Sequence, residues 1–285
     1  MGAACGENPL HHAASRRGSP PRERGGFWER PSEIPFLLLF LHARTASGRF
    51  FSFPWIVSPA EPCSDIAVLT SNITWNAYNN YGGRSNYFNQ DGLRDRPVVY
   101  SRQDIERYTK PGLWPYQDRA APLSFERPEL GSCVPEFASI TDTIAGRTQS
   151  ALAPGEWRLL GWLEREKFRF DLYSETELHF GTLPLEHYRV LVLNTHPEYW
   201  SVEMYQRVKK WVHEEGGRLV YLAGCGLYAE VEFVDESTML CCREGENEMR
   251  GESEANLLGV AYSHDGFQSG APYRVLQGDH WVFDG

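Results

Sequence analysis

A chain of 285 residues that is 41% hydrophobic and 13% aromatic can bury a sizeable core, as one large domain or one domain with appendages. Its formal net charge of −10 argues against nucleic acid as the main partner. Cys5, Cys63, Cys133, Cys225, Cys241 and Cys242 form no CxxC pair and no regular framework, which fits a reduced, cytoplasmic compartment.

Residues 1–46 mix Gly, Pro, Arg and Ser without periodicity and read as a disordered or non-native leader. The apolar run Ile34 to Leu41 is too short to span a bilayer, and Ala43 to Ser47 makes a poor signal-cleavage site. Residues 47–64 read as an edge strand and a linker. Phe50 to Val57 is aromatic and strand-like, and Pro54 confines it to an edge or a bend. The main domain, 65–285, opens with Asp65 to Thr70, a run suited to a buried strand.

Asn72 to Tyr87 follows, dense in Asn, Tyr and Gly and without period 2 or 3.6. It reads as a long polar-aromatic loop, whose amides and hydroxyls all need partners. Such loops after a strand often carry sites; the plainer reading is a structural loop with Asn side chains capping turns. Residues 88–150 are broken up by prolines and read as an insertion over one end of the sheet, with a short helix at Gln103 to Tyr108. Tyr108, Tyr116, Arg127 and Glu129 are its candidates to reach the strand ends.

Pro154 to Glu166 is amphipathic, with a proline in its first turn. Phe168 to Tyr173 alternates as a strand. Val190 to Leu193 is a short β-branched run that ends in turn chemistry, so it reads as a buried strand. Ser201 is a candidate N-cap, Glu203 suits a first turn, and Val202, Tyr205, Val208 and Val212 fall at helical spacing. Gly216-Gly217 closes that helix, and Arg218 to Ala223 is the next strand. Strand, helix and strand predict a parallel β-α-β unit. Beyond Gly226, residues 231–234 and 238–242 predict an antiparallel hairpin, and the aromatic end at Gly285 reads as a truncation. The fold class is an open, mainly parallel α/β sheet of flavodoxin-like type, with a long insertion and an antiparallel C-terminal extension.

Three strand ends would then converge. One delivers the Asn/Tyr loop, one His196 and Glu198, and one Gly224-Cys225-Gly226. Carboxylate and phenol oxygens suit a hard metal ion, which would lower the pKa of a bound water. Alternatively, Cys225 between glycines suits a nucleophile turn with His196 as base. The plainer readings are a buried small cysteine and a His–Glu pair that ties down a loop. A non-catalytic binding domain also remains open.

The motifs Thr74-Trp75-Asn76-Ala77-Tyr78-Asn79, Gly82-Gly83-Arg84-Ser85, His196 to Ser201 and Gly216 to Leu219 resemble the C-terminal domain of the N,N-dimethylformamidase large (beta) subunit family. The resemblance covers residues 48 to 285. It implies a class I glutamine-amidotransferase-like domain, a mononuclear iron held by two tyrosines and a glutamate, and hydrolysis of a small amide. It also implies a multi-subunit assembly. Tyr78 matches one tyrosine, Glu198 the glutamate, and His196 a histidine beside the metal. Tyr116 is the candidate second tyrosine, with Glu129 as its rival. Cys225 stands where the family has an asparagine, and a further acidic residue would fall beyond Gly285.

Overall fold

A computed structural model describes residues 37–79, 81, 84–86, 88–89, 122–129, 132, 152–244, 250–262, 276 and 278–279. Two strands, β1 (Leu37–Arg44) and β2 (Phe50–Val57), pair antiparallel, with Phe40 opposite Pro54. Pro54 thus sits in a two-stranded ribbon, where a missing N–H is tolerated. The run at 37–44, placed by sequence in an unfolded leader, is a strand because the aromatic run at 50–57 gives it a partner. It packs on helix α2 (Ala153–Arg165), where the Trp157 indole donates to the Leu38 carbonyl at 3.2 Å.

The central sheet has four parallel strands: β3 (Ile66–Thr70), β7 (Asp171–Ser174), β8 (Val190–Thr195) and β10 (Arg218–Ala223). Their spatial order is β10-β8-β3-β7. The first strand in sequence is therefore flanked by the second and the third, so the chain reverses its winding direction between β3 and β8. Crevices open at such a reversal, beyond the carboxyl ends of the strands.

Residue alternation explains why both faces are covered. Ala67, Leu69, Leu191 and Leu193 point to one core, which includes Met204, Tyr205, Val208 and Trp211 of helix α4 (Val202–His213). Val68, Leu172 and Val192 point to the other, which includes Leu160 and Leu163 of helix α2 (Ala153–Arg165). Burying each such side chain fully is worth about 1.5–3 kcal/mol. Ser201 caps α4 as predicted, accepting from the Met204 N–H. Gly216 follows the helix at φ +78°, and a Cβ at Gly217 would collide with the Trp211 ring.

The predicted strand at 168–173 starts later, at Asp171. Lys167 takes φ +62°, and the Lys167 and Phe168 N–H groups donate back to the Glu164 and Leu163 carbonyls. This left-handed closure terminates α2, and 168–170 follow as irregular chain before the strand. Helix α3 (Glu175–Phe180) follows β7 through a capping box between Ser174 and Glu177.

The polar-aromatic stretch after β3 also differs from its reading as a loop. Asn72–Tyr78 is helix α1, with Ile73, Thr74, Trp75, Asn76 and Ala77 buried. Its polar residues hid a tertiary amphipathicity that only the fold completes.

A second sheet stands at the carboxyl ends. It runs β6 (Leu123–Ser124), β12 (Thr238–Glu244), β11 (Ala229–Asp235) and β9 (Tyr199–Trp200). β11 and β12 form the predicted hairpin, while β11 and β9 are parallel. The segment just past His196 and Glu198 is thereby fastened into a separate sheet. A two-stranded hairpin of β4 (Arg84–Ser85) and β5 (Phe88–Asn89), a short 3-10 turn at Leu185–His187 and helix α5 (Ala255–Leu258) complete the described elements. Among the described residues, no helix is long and apolar enough to cross a membrane. Cys63 is disulfide-bonded, whereas the cysteine pattern alone reads as that of a reduced compartment.

Candidate functional site

Helix α1 carries Tyr78 at its end, and the turn between β8 and β9 carries His196 and Glu198. The two segments meet on one atom. The Tyr78 hydroxyl donates to Glu198 Oε2 at 2.8 Å, and His196 Nε2 lies 2.9 Å from the same oxygen. Glu198 is buried, whereas Tyr78 and His196 are half-buried and ring it. The Tyr78 and His196 rings lie 5.4 Å apart, centre to centre.

The backbone beneath is fixed by Thr74, whose Oγ1 accepts from the Glu198 and Tyr199 N–H groups at 3.1 and 3.2 Å. The Leu227 and Ala229 N–H groups donate to the Pro197 and Glu198 carbonyls, which brings the third strand-end loop alongside. Cys225 lies in that loop and acts on His196. Burial opposes charge on the imidazole, but Cys225 and Glu198 beside it outweigh that and raise His196 to about 9. His196 Nδ1 is buried and makes no hydrogen bond.

Strain concentrates here. Thr195, Cys225 and Leu227 have φ of +60°, +50° and +53°. Such backbone is disfavoured for residues with a Cβ, most of all for a β-branched threonine. Each costs on the order of 1–3 kcal/mol and persists only where surrounding contacts impose it. One of those contacts is the Tyr221 hydroxyl, which accepts from the Gly226 N–H at 2.8 Å. The turn at Cys225 leads into β11, and no helix starts after it. The strand-turn-helix that would aim a helix N-terminus at the thiol is therefore missing.

The sequence-predicted residues divide as follows. Tyr78, His196 and Glu198 come together, and Cys225 stands beside His196. Tyr116, Tyr108 and the predicted helix at Gln103 to Tyr108 lie outside the described residues. Arg127 acts as a clip on helix α1. Its guanidinium donates to the carbonyls of Asn76, Asn79 and Tyr81, closing the C-terminal end of α1. Burial lowers its pKa while Glu129 nearby opposes that.

Sequence reasoning missed Thr74, Glu156 and Glu175. Glu156 Oε1 accepts from the Ser71 N–H at 2.9 Å and the Trp75 indole at 3.0 Å. Glu175 accepts from the Ile73 N–H at 3.1 Å and the Trp200 indole at 2.7 Å. The one signal for Glu175 was the Ser174-x-x-Glu177 cap that places it at the head of a helix.

Among the described residues, no group of three or more His, Cys, Asp or Glu side chains is arranged to hold a metal ion. A metal here would have to draw on phenol oxygen. The phenol oxygen of Tyr78 and the carboxylate of Glu198, 2.8 Å apart, are donors of the kind a hard ion takes.

Fold and site together define an α/β protein with a Tyr–His–Glu constellation at the carboxyl ends of a parallel sheet. The chain belongs to the family described as N,N-dimethylformamidase beta subunit-like, C-terminal, which matches residues 28–285. It is 33% identical over 82 residues to the N,N-dimethylformamidase beta subunit of Alcaligenes sp. That match takes in 28% of this chain and 10% of the relative.

Proposed function

We propose that this chain is an amide hydrolase of the N,N-dimethylformamidase type, acting on a small-molecule amide C–N bond. The observation that carries the reading is the convergence of Tyr78 Oη and His196 Nε2 on Glu198 Oε2. The strand order supports a flavodoxin-like sheet of the class I glutamine-amidotransferase kind.

In this reading Tyr78 and Glu198 hold a mononuclear iron, with Tyr116 as the second phenol. The ion, when bound, supplies Lewis acidity and lowers the pKa of a water. The protein's own contribution is placement. Thr74 fixes the Glu198 backbone, α1 delivers the phenol, and His196 keeps a proton at Nε2 against Glu198. Cleaving an amide C–N bond requires a proton on the departing amine, and His196 is the group placed to supply it. The relative's name describes it as a beta subunit, which supports assembly of this chain with other subunits.

Metal analysis with an optical spectrum tests the reading. Iron near one per chain, with a visible phenolate band that Glu198→Ala abolishes, is expected. Unchanged iron in that variant would sink the assignment.

A second reading makes Cys225 the nucleophile and His196 its base, without metal. The left-handed Cys225 backbone and the effect of Cys225 on His196 support it. Full turnover in Cys225→Ser would exclude it. Absence of both metal and turnover would leave a binding domain on this scaffold.

A further inference from the structure

Helix α1 holds one wall of the site, yet it is poorly equipped to hold itself. It has 7 residues, no side-chain cap at Ser71 and no acidic residue in its first turn. The first N–H groups of any helix lack intrahelical partners, and leaving them buried and unpaired is costly. Two distant carboxyls take that role. Glu156 of α2 receives the Ser71 N–H, and Glu175 of α3 receives the Ile73 N–H.

Glu175 does more than cap. It is fully buried, and its two oxygens serve two different elements. Oε2 accepts from Ile73 in α1, and Oε1 accepts at 2.7 Å from the indole of Trp200 in β9. Trp200 is two residues beyond Glu198, and Tyr78 closes the helix whose first turn holds Ile73. The same carboxyl therefore grips both segments whose tips meet at the Tyr78–Glu198 contact.

We propose that Glu175 is a positioning residue for the Tyr78–His196–Glu198 site, bracing the helix that carries the phenol against the strand that follows the carboxylate. The inference takes that constellation to be the working site. Thr74 makes the near brace, on the Glu198 and Tyr199 N–H groups, and Glu175 the far one. Two braces fix an orientation where one would leave a pivot. Glu156 secures the same helix from its other side through Ser71 and Trp75, without touching β9. It is a neighbour of Glu175 and not a substitute for it.

The test uses the full chain free of metal, so that it reads geometry and not turnover. With 13Cζ-labelled tyrosine, Tyr78→Phe assigns the Tyr78 resonance. Glu175→Ala should move that resonance toward its position in the unfolded chain. Glu175→Gln keeps one acceptor and sets an amide against the other donor, so it should fall between. Trp200→Phe removes the indole donor together with some buried volume and should produce part of the shift. Val208→Ala, a core truncation on α4, should leave the resonance in place while lowering the thermal midpoint. An unmoved Tyr78 resonance in Trp200→Phe and in whichever Glu175 variants fold would overturn the proposal. So would an equal shift in Val208→Ala. Lack of iron in the wild-type protein would overturn the hydrolase reading alone, since none of these readouts needs the metal.

Discussion

The two ends of the parallel sheet each hold a tyrosine against a carboxylate. At the amino end, the Tyr188 hydroxyl donates to Asp171 Oδ2 at 2.7 Å, and the Tyr173 and Tyr188 hydroxyls lie 2.7 Å apart. At the carboxyl end, Tyr78 meets Glu198 at 2.8 Å. As single hydrogen bonds they are equivalent; their surroundings are not. Asp171 spends the same oxygen on the Cys63 N–H, so its cluster ties β7 and the start of β8 to the linker before β3. Burial, before any other cause, pushes the Tyr173 phenol up to about 12 and Tyr188 further still. Those phenols stay neutral and act as fasteners. Glu198 instead shares its oxygen with an imidazole, and three residues at its end of the sheet have left-handed backbone. A tyrosine–carboxylate contact is thus not itself a sign of function. The imidazole and the strain separate the two.

The largest expected effect breaks this comparison outright. Tyr78→Phe should lower hydrolysis of a small amide by about a hundredfold or more, since loss even of a ligand's supporting partner costs about 10–100-fold. Its stability should fall by only about 1 kcal/mol, the net value of one hydrogen bond. Tyr188→Phe should do the reverse. It leaves Asp171 and Tyr173 short of a partner, so about 1–3 kcal/mol of stability is lost while turnover is kept. Kinetics and urea unfolding of the two variants decide the matter. Equal loss of turnover in both would show that the two contacts do the same job.

The β8–α4–β10 unit was legible because its burial is local. Val190 to Leu193 is apolar throughout, and the helix repeats its apolar positions where the sheet needs them. His196 and Glu198 were legible for the same reason, since they stand where that strand must stop. Helix α1 was not legible. Thr74, Asn76 and Tyr78 give it no apolar stripe, and its N-terminal acceptors come from residues 156 and 175, far along the chain. The partner of the run at 37–44 was hidden for a related reason: a strand in an edge ribbon is defined by its neighbour and not by its own alternation.

The next effect concerns pH. Burial raises Glu156 to about 8 from an ordinary 4.5, against the Ser71 and Trp75 hydrogen bonds that favour its charge. Folding therefore takes up a proton between those values. The stabilisation is complete below about pH 4.5 and is lost as pH rises through about 8, on the order of a few kcal/mol in all. Its second oxygen, Oε2, is buried without a partner, which is where the proton belongs. Glu156→Gln places an amide there and keeps the acceptor that Ser71 and Trp75 use. Between pH 5 and 8.5 its unfolding free energy should fall less steeply than that of the wild type, with the curves closest at the acid end. Parallel curves would mean that Glu156 is charged in the folded chain.

The smallest effect probes the strained loop. A Cβ on Gly226 would lie 2.5 Å from the Tyr221 ring, closer than any side chain tolerates. Gly226→Ala must push back either that ring or the loop, at about 1–3 kcal/mol. If the ring moves, the Gly226 N–H loses the Tyr221 hydroxyl and the left-handed turn at Cys225 relaxes. His196 would then lose part of what Cys225 contributes to its charged form, and its titration, followed by NMR of the ring, should move down from about 9. Loss of stability with an unmoved His196 titration would show that the loop yields without carrying Cys225 away from the imidazole. The strain at Cys225 would then belong to the connection from β10 to β11, and the contrast between the two sheet ends would rest on the imidazole alone.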